Sequence, residues 1–125
     1  MILGTGIDII EVDRIRDAWK RLGLPFARRF LTPPEIEYCL AHPDPAPYLA
    51  ARFAAKEAIS KAFGTGIGMG LGWHDMQIDR AETGKPSVTL SPAGQILLQS
   101  FGARALHVSL THSTVHAAAV AILEN

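Results

Sequence analysis

The sequence predicts an α+β fold: a mainly antiparallel sheet with packed helices, in the order β-α-α-α-β-β-α-β-β. Three observations carry it. Alternating, β-rich runs lie at both ends of the chain, helical periodicity fills the stretch between Pro47 and Gly64, and a Gly84-Lys85-Pro86 turn separates two short alternating segments.

Each element has a local reason. Ile2 to Ile10 is β-rich with a glycine pair, and alternation puts Ile7 and Ile9 on one face and Asp8 on the other. Val12, Ile15, Trp19 and Leu22 then recur at helical spacing, with Arg14, Asp17 and Arg21 on the wet side, until Gly23 ends the helix. Thr32-Pro33-Pro34-Glu35 starts the next helix, with threonine as N-cap, proline first and glutamate reaching back; it runs to about Ala41. The proline-rich segment His42 to Pro47 is a rigid turn, and the alanine-rich helix from about Tyr48 to Phe63 stops at Gly64. Gly64, Gly66, Gly68, Gly70 and Gly72 form a loop. Met76 and Ile78 mark one strand, and Val88 and Leu90 mark its return after the turn. Ser91-Pro92 caps a helix expected to turn Ala93, Ile96, Leu97 and Phe101 to the core. Strands from about Ala105 to Thr111 and about His116 to Leu123 close the chain.

Composition narrows the function classes. At 125 residues, 48% apolar and 19% charged, residues 1–125 read as one globular domain with no long linker. No apolar run reaches the roughly 20 residues a membrane span needs, and the N-terminus lacks the basic leader of a signal peptide. Zero net charge argues against a general nucleic-acid binder. One cysteine, Cys39, permits no internal disulfide, and a reducing, cytoplasmic setting fits best; Cys39 reads as a packing residue. Charge is uneven, however. Arg14, Arg16, Lys20, Arg21, Arg28 and Arg29 face a single acid, Asp17, between positions 14 and 29, which points to an acidic partner.

Three places hold polar groups that structure alone does not use up. Asp8 stands among Ile7, Ile9 and Ile10, where a carboxylate loses hydration; by position it also reads as a surface aspartate or a cap. Phe53, Glu57 and Lys61 are four apart on one helix face that runs into the glycine loop, a phosphate-site arrangement, though an ordinary Glu–Lys surface pair has the same spacing. No P-loop signature accompanies the glycines. On the strand His107-Val108-Ser109-Leu110-Thr111, alternation places His107, Ser109 and Thr111 on one face, either to bind phosphate or a base or as the wet side of a sheet. Two carboxylates without cysteine suit magnesium better than zinc. No Gly-x-Ser-x-Gly elbow supports a serine hydrolase.

Together these segments resemble the holo-acyl-carrier-protein synthase family, the short bacterial 4′-phosphopantetheinyl transferases, over essentially the whole chain. Gly6-Ile7-Asp8-Ile9-Ile10-Glu11 with Arg14 is similar to the family's N-terminal motif. Arg52-Phe53-Ala54-Ala55-Lys56-Glu57-Ala58-Ile59-Ser60-Lys61-Ala62, extended by Phe63-Gly64-Thr65-Gly66, is similar to its central one. Gly84-Lys85-Pro86 and His107-Val108-Ser109 fit weaker later motifs.

The resemblance implies the 4′-phosphopantetheinyl transferase fold and transfer of phosphopantetheine from coenzyme A to a serine of apo acyl carrier protein. Asp8 and Glu57 would hold magnesium, with Glu57 also a base through water, and Lys61 would neutralise the pyrophosphate. Gly64, Lys85, Pro86, His107 and Ser109 would line the coenzyme A site, joined by Lys61. Arg14, Arg21 and Arg29 would dock the carrier. It also implies a homotrimer with sites between subunits, leaving open whether Asp8 and Glu57 come from one chain or two. Many family members carry an arginine in the glycine loop, where Gly68-Met69 offer no charge here. Two other readings are a magnesium-independent coenzyme A-dependent acyltransferase and a non-catalytic nucleotide-binding module.

Overall fold

Every strand pairing is antiparallel in the computed structural model, which describes residues 1–125. Strand β1 (Ile2–Glu11) leads into helices α1 (Val12–Leu22), α2 (Leu24–Phe30), α3 (Pro33–Leu40) and α4 (Ala46–Phe63). A 3-10 turn at Trp73–Asp75 precedes β2 (Met76–Arg80) and β3 (Pro86–Leu90), and α5 (Pro92–Ser100), β4 (Ala105–His112) and β5 (His116–Glu124) complete the order. The strands divide into two sheets: β1-β5-β4, with β1 on an edge, and the separate hairpin β2-β3.

The core is α4 laid against β1 and β5, made possible by small residues on both sides. Ala54, Ala55, Ala58 and Ala62 of α4 and Ala117, Ala119 and Ala121 of β5 are all buried. A Cβ on Gly4 or Gly6 would run into the carbonyl oxygens of Ala62 and Ala58, so β1 can touch the helix only where it has no side chain. That close approach brings the next inward position, Asp8, alongside the last turn of α4.

The capping devices read from the sequence are present. Gly23 ends α1 with φ 63°, Glu35 accepts from the Thr32 N–H at 2.8 Å, Ser91 Oγ accepts from the Gly94 N–H at 3.1 Å, and Gly64 ends α4 with φ 76°. Two expectations fail. Helix α2 was not anticipated: at seven residues it is too short to show periodicity, and it forms because Gly23 redirects the chain and Pro25 suits a first turn. Helix α5 turns a largely different face inward, and of the expected residues only Leu97 is partly buried against the core. Gly94 and Leu98 are buried while Ala93, Ile96 and Phe101 are exposed, because a Cβ at Gly94 would sit 3.1 Å from Leu90 and 3.2 Å from the Asp75 carbonyl. No helix is long and apolar enough to cross a membrane.

Candidate active site

Helix α4 is buried along almost its whole length; past its first turn only Phe53, Glu57 and Lys61 escape full burial. Four-residue spacing makes these a single stripe, and the stripe meets the inward side of β1. There Lys61 Nζ donates to Asp8 Oδ1 at 3.0 Å and to the Ile7 carbonyl at 3.0 Å. Asp8 is 17% exposed and Lys61 52% exposed, so the pair lies at the mouth of a cleft rather than in the core. Ile7, Asp8, Ile9, Lys61 and Ala118 line that cleft, which encloses about 440 Å³.

Glu57 completes the group. Burial raises its carboxyl above the ordinary glutamate range, the Asp8 charge pushes it the same way, and Lys61 pulls it back. Asp8 and Glu57 of one chain are therefore close enough for their charges to interact. They repel each other with one lysine to offset them, an arrangement a divalent cation would relieve. No cluster of three or more His, Cys, Asp or Glu side chains is placed to hold a metal, so the protein offers two hard oxygen donors and an open cleft. That donor set fits magnesium, which keeps waters and takes oxygens from a substrate phosphate.

The remaining candidates do not join this group within one chain. Register places Thr5, Ile122 and His107 on one face of the sheet, with Ile7, Val120 and Ser109 beside them, the face opposite Asp8. His107 Nε2 pairs there with Glu124 Oε1 at 3.0 Å. Lys85 and Pro86 sit at the tip of the separate β2-β3 hairpin. Gly64 caps α4 three residues after Lys61. Arg14 and Arg21 on α1 and Arg29 on α2 are exposed, whereas Arg16 is committed to Asp13 and Asp44, bonding Asp44 at 2.7 Å. Cys39 is fully buried and its thiol is pushed up to about 11 by desolvation, in keeping with a packing role.

Sequence reasoning missed the chain's other lysine–carboxylate pair. Lys56 Nζ and Glu35 Oε1 meet at 2.7 Å with both side chains 0% exposed. Its signal was faint: a lysine between Ala55 and Glu57 on a helix whose other charged stripe faces elsewhere.

Against known proteins, the model of the 4′-phosphopantetheinyl transferase superfamily matches residues 4–121. The chain belongs to that superfamily. It is 44% identical to the holo-acyl-carrier-protein synthase of Koribacter versatilis and 46% identical to that of Nitratidesulfovibrio vulgaris, each over 125 residues and 100% of both chains. The crystal structure of the Neisseria meningitidis holo-acyl-carrier-protein synthase superposes with a TM-score of 0.92 at 36% identity, covering 100% of both chains. The Helicobacter pylori synthase, crystallised in complex with coenzyme A, superposes with a TM-score of 0.85 at 36% identity, covering 96% of this chain and 99% of that one. The α+β architecture of this superfamily member, read from sequence as antiparallel strands with packed helices, is thus shared by its solved relatives.

Proposed function

We propose that the chain is a single-domain, magnesium-dependent transferase that moves 4′-phosphopantetheine from coenzyme A to a serine of apo acyl carrier protein. It releases adenosine 3′,5′-bisphosphate and serves fatty acid or polyketide biosynthesis. The observation that carries this reading is the meeting of Asp8 and Lys61 at one open cleft, with Glu57 near enough to feel both charges, in a chain of this superfamily.

The serine oxygen attacks the phosphorus next to the pantetheine arm; an O–P bond forms, and the pyrophosphate P–O bond breaks to free the bisphosphate. Glu57 takes the serine proton through an intervening water. Lys61 leaves Asp8 for the pyrophosphate oxygens and offsets the charge gathering on them. Asp8 and Glu57 hold the magnesium, which when bound supplies further positive charge to those oxygens. Asp8 also keeps the Lys61 ammonium aimed at the cleft until substrate arrives.

The coenzyme binds along Lys61, Gly64, Lys85, Pro86, His107 and Ser109, of which His107 and Ser109 act from a neighbouring copy. Support for that comes from the outer sheet face. Ile7 and Ile9 are 69% and 65% exposed beside Val120 and Ile122, an apolar surface that a homotrimer would cover. Arg14, Arg21 and Arg29 dock the acidic carrier. With Gly68-Met69 uncharged, Lys61 carries the neutralisation that a loop arginine would share. The chain works in the cytoplasm, where free Cys39 stays reduced.

The test is the intact mass of apo acyl carrier protein after incubation with coenzyme A and this protein, with magnesium or with chelator. A gain of one phosphopantetheine only with magnesium is expected. An acyl-only gain from acyl-coenzyme A, or no gain with several carriers, would overturn the reading.

A further inference from the structure

Five residues before Lys61, α4 carries a second lysine that the chemistry above does not use. Lys56 is turned into the core, and its ammonium donates to acceptors on three separate segments. Glu35 Oε1 of α3 is at 2.7 Å, the Phe30 carbonyl at the end of α2 at 2.6 Å, and the Trp73 carbonyl, just past the glycine loop, at 3.0 Å. Those three bonds use all three ammonium protons. Glu35 in turn accepts from the Thr32 N–H at 2.8 Å and from the Ile78 N–H of β2 at 3.0 Å.

An ion pair needs only one of these acceptors, and burying it is no gain over apolar packing. What distinguishes this pair is which segments it ties together. The two carbonyls belong to Phe30 and Trp73, whose rings close on Phe53 with centroids 5.5 Å and 5.1 Å away. Phe53 lies one turn of α4 before Glu57. Arg29 directly precedes Phe30, and the loop that begins at Gly64 leads to Trp73. Lys56 therefore fastens the end of the basic helix and the far end of the glycine loop to the helix that bears Glu57 and Lys61.

We propose that Lys56, with Glu35 as its counter-charge, is a positioning residue for phosphopantetheine transfer: it sets the docking helix α2 and the glycine loop in register with the catalytic stripe. It touches neither substrate and acts through the Phe30 and Trp73 carbonyls. This rests on the function proposed above.

The test compares Lys56→Met, which keeps length and removes the charge, with Ile59→Ala, a core truncation on the same helix with nothing to register. Both are assayed well below their melting temperatures, together with the wild-type protein. The kcat/KM for apo carrier, per folded molecule, falls about a hundredfold in Lys56→Met and stays near wild type in Ile59→Ala, because a misplaced site loses rate without unfolding. Equal constants in the two variants would overturn the proposal. Amide hydrogen exchange reads the tether without any transfer assay: faster exchange confined to residues 24–31 and 64–73 supports it, and a uniform loss of protection overturns it. These exchange results stand even if the wild-type protein transfers nothing, an outcome that would sink the function alone. Should Lys56→Met fail to fold, Glu35→Gln gives the same two readouts with the same meaning.

Discussion

Helix α4 carries two lysine–carboxylate pairs five residues apart, and they differ in almost everything but composition. Lys56 and Glu35 are 0% exposed, and every proton of the ammonium has a protein acceptor. Lys61 and Asp8 are 52% and 17% exposed, with a second carboxylate, Glu57, beside them and a cleft in front. The closed pair has no capacity left for a ligand, so its work is on the protein itself. The open pair leaves its charged groups within reach of a ligand. Reactivity in this chain follows from what a pair leaves unsatisfied, not from its being a pair.

Glu57→Gln should break the open cluster at its most reactive point. It keeps shape while losing the proposed base and metal ligand, so transfer should fall between about a hundredfold and ten-thousandfold with the melting temperature little changed. Near-normal turnover in a mass or discontinuous assay would show that the stripe is not the centre. The two lysines should then separate cleanly in denaturant titrations. Lys56→Met strands a buried Glu35 carboxylate and should cost about 3–5 kcal/mol of stability. Lys61→Met removes a half-exposed pair and should cost under about 1 kcal/mol. Equal losses would mean that the exposure difference between the pairs does not hold in solution.

Much of this contrast was legible before any coordinates. Four-residue spacing exposed the Phe53, Glu57 and Lys61 stripe, alternation separated Asp8 from Ile7 and Ile9, and glycine and proline breaks bounded α1 and α4. Local patterns report local geometry, and those features are local. The meeting of Asp8 with Lys61 spans 53 residues and depends on Gly4 and Gly6 having no side chains where β1 crosses α4. Spacing alone could not separate that stripe from a solvated Glu–Lys face; the family resemblance did. The Glu35–Lys56 pair spans 21 residues with nothing in the periodicity to join them. In α5 the apolar residues suggested one face, but the close packing at Gly94, where a side chain would be tight, goes with another. His107 and Ser109 turn away from Asp8 within the chain, so the part proposed for them requires a second copy, which one sequence does not display.

The central claim is that one chain supplies the whole catalytic group, and subunit mixing tests it most directly. Asp8→Asn and Glu57→Gln proteins would be unfolded, refolded together and assayed for magnesium-dependent phosphopantetheine transfer to apo carrier. Because both carboxylates of each site come from a single chain, the mixture should transfer no faster than the two variants assayed apart. Recovery of a substantial fraction of the wild-type rate on mixing would mean that Asp8 of one copy works with Glu57 of another, and would contradict the site described.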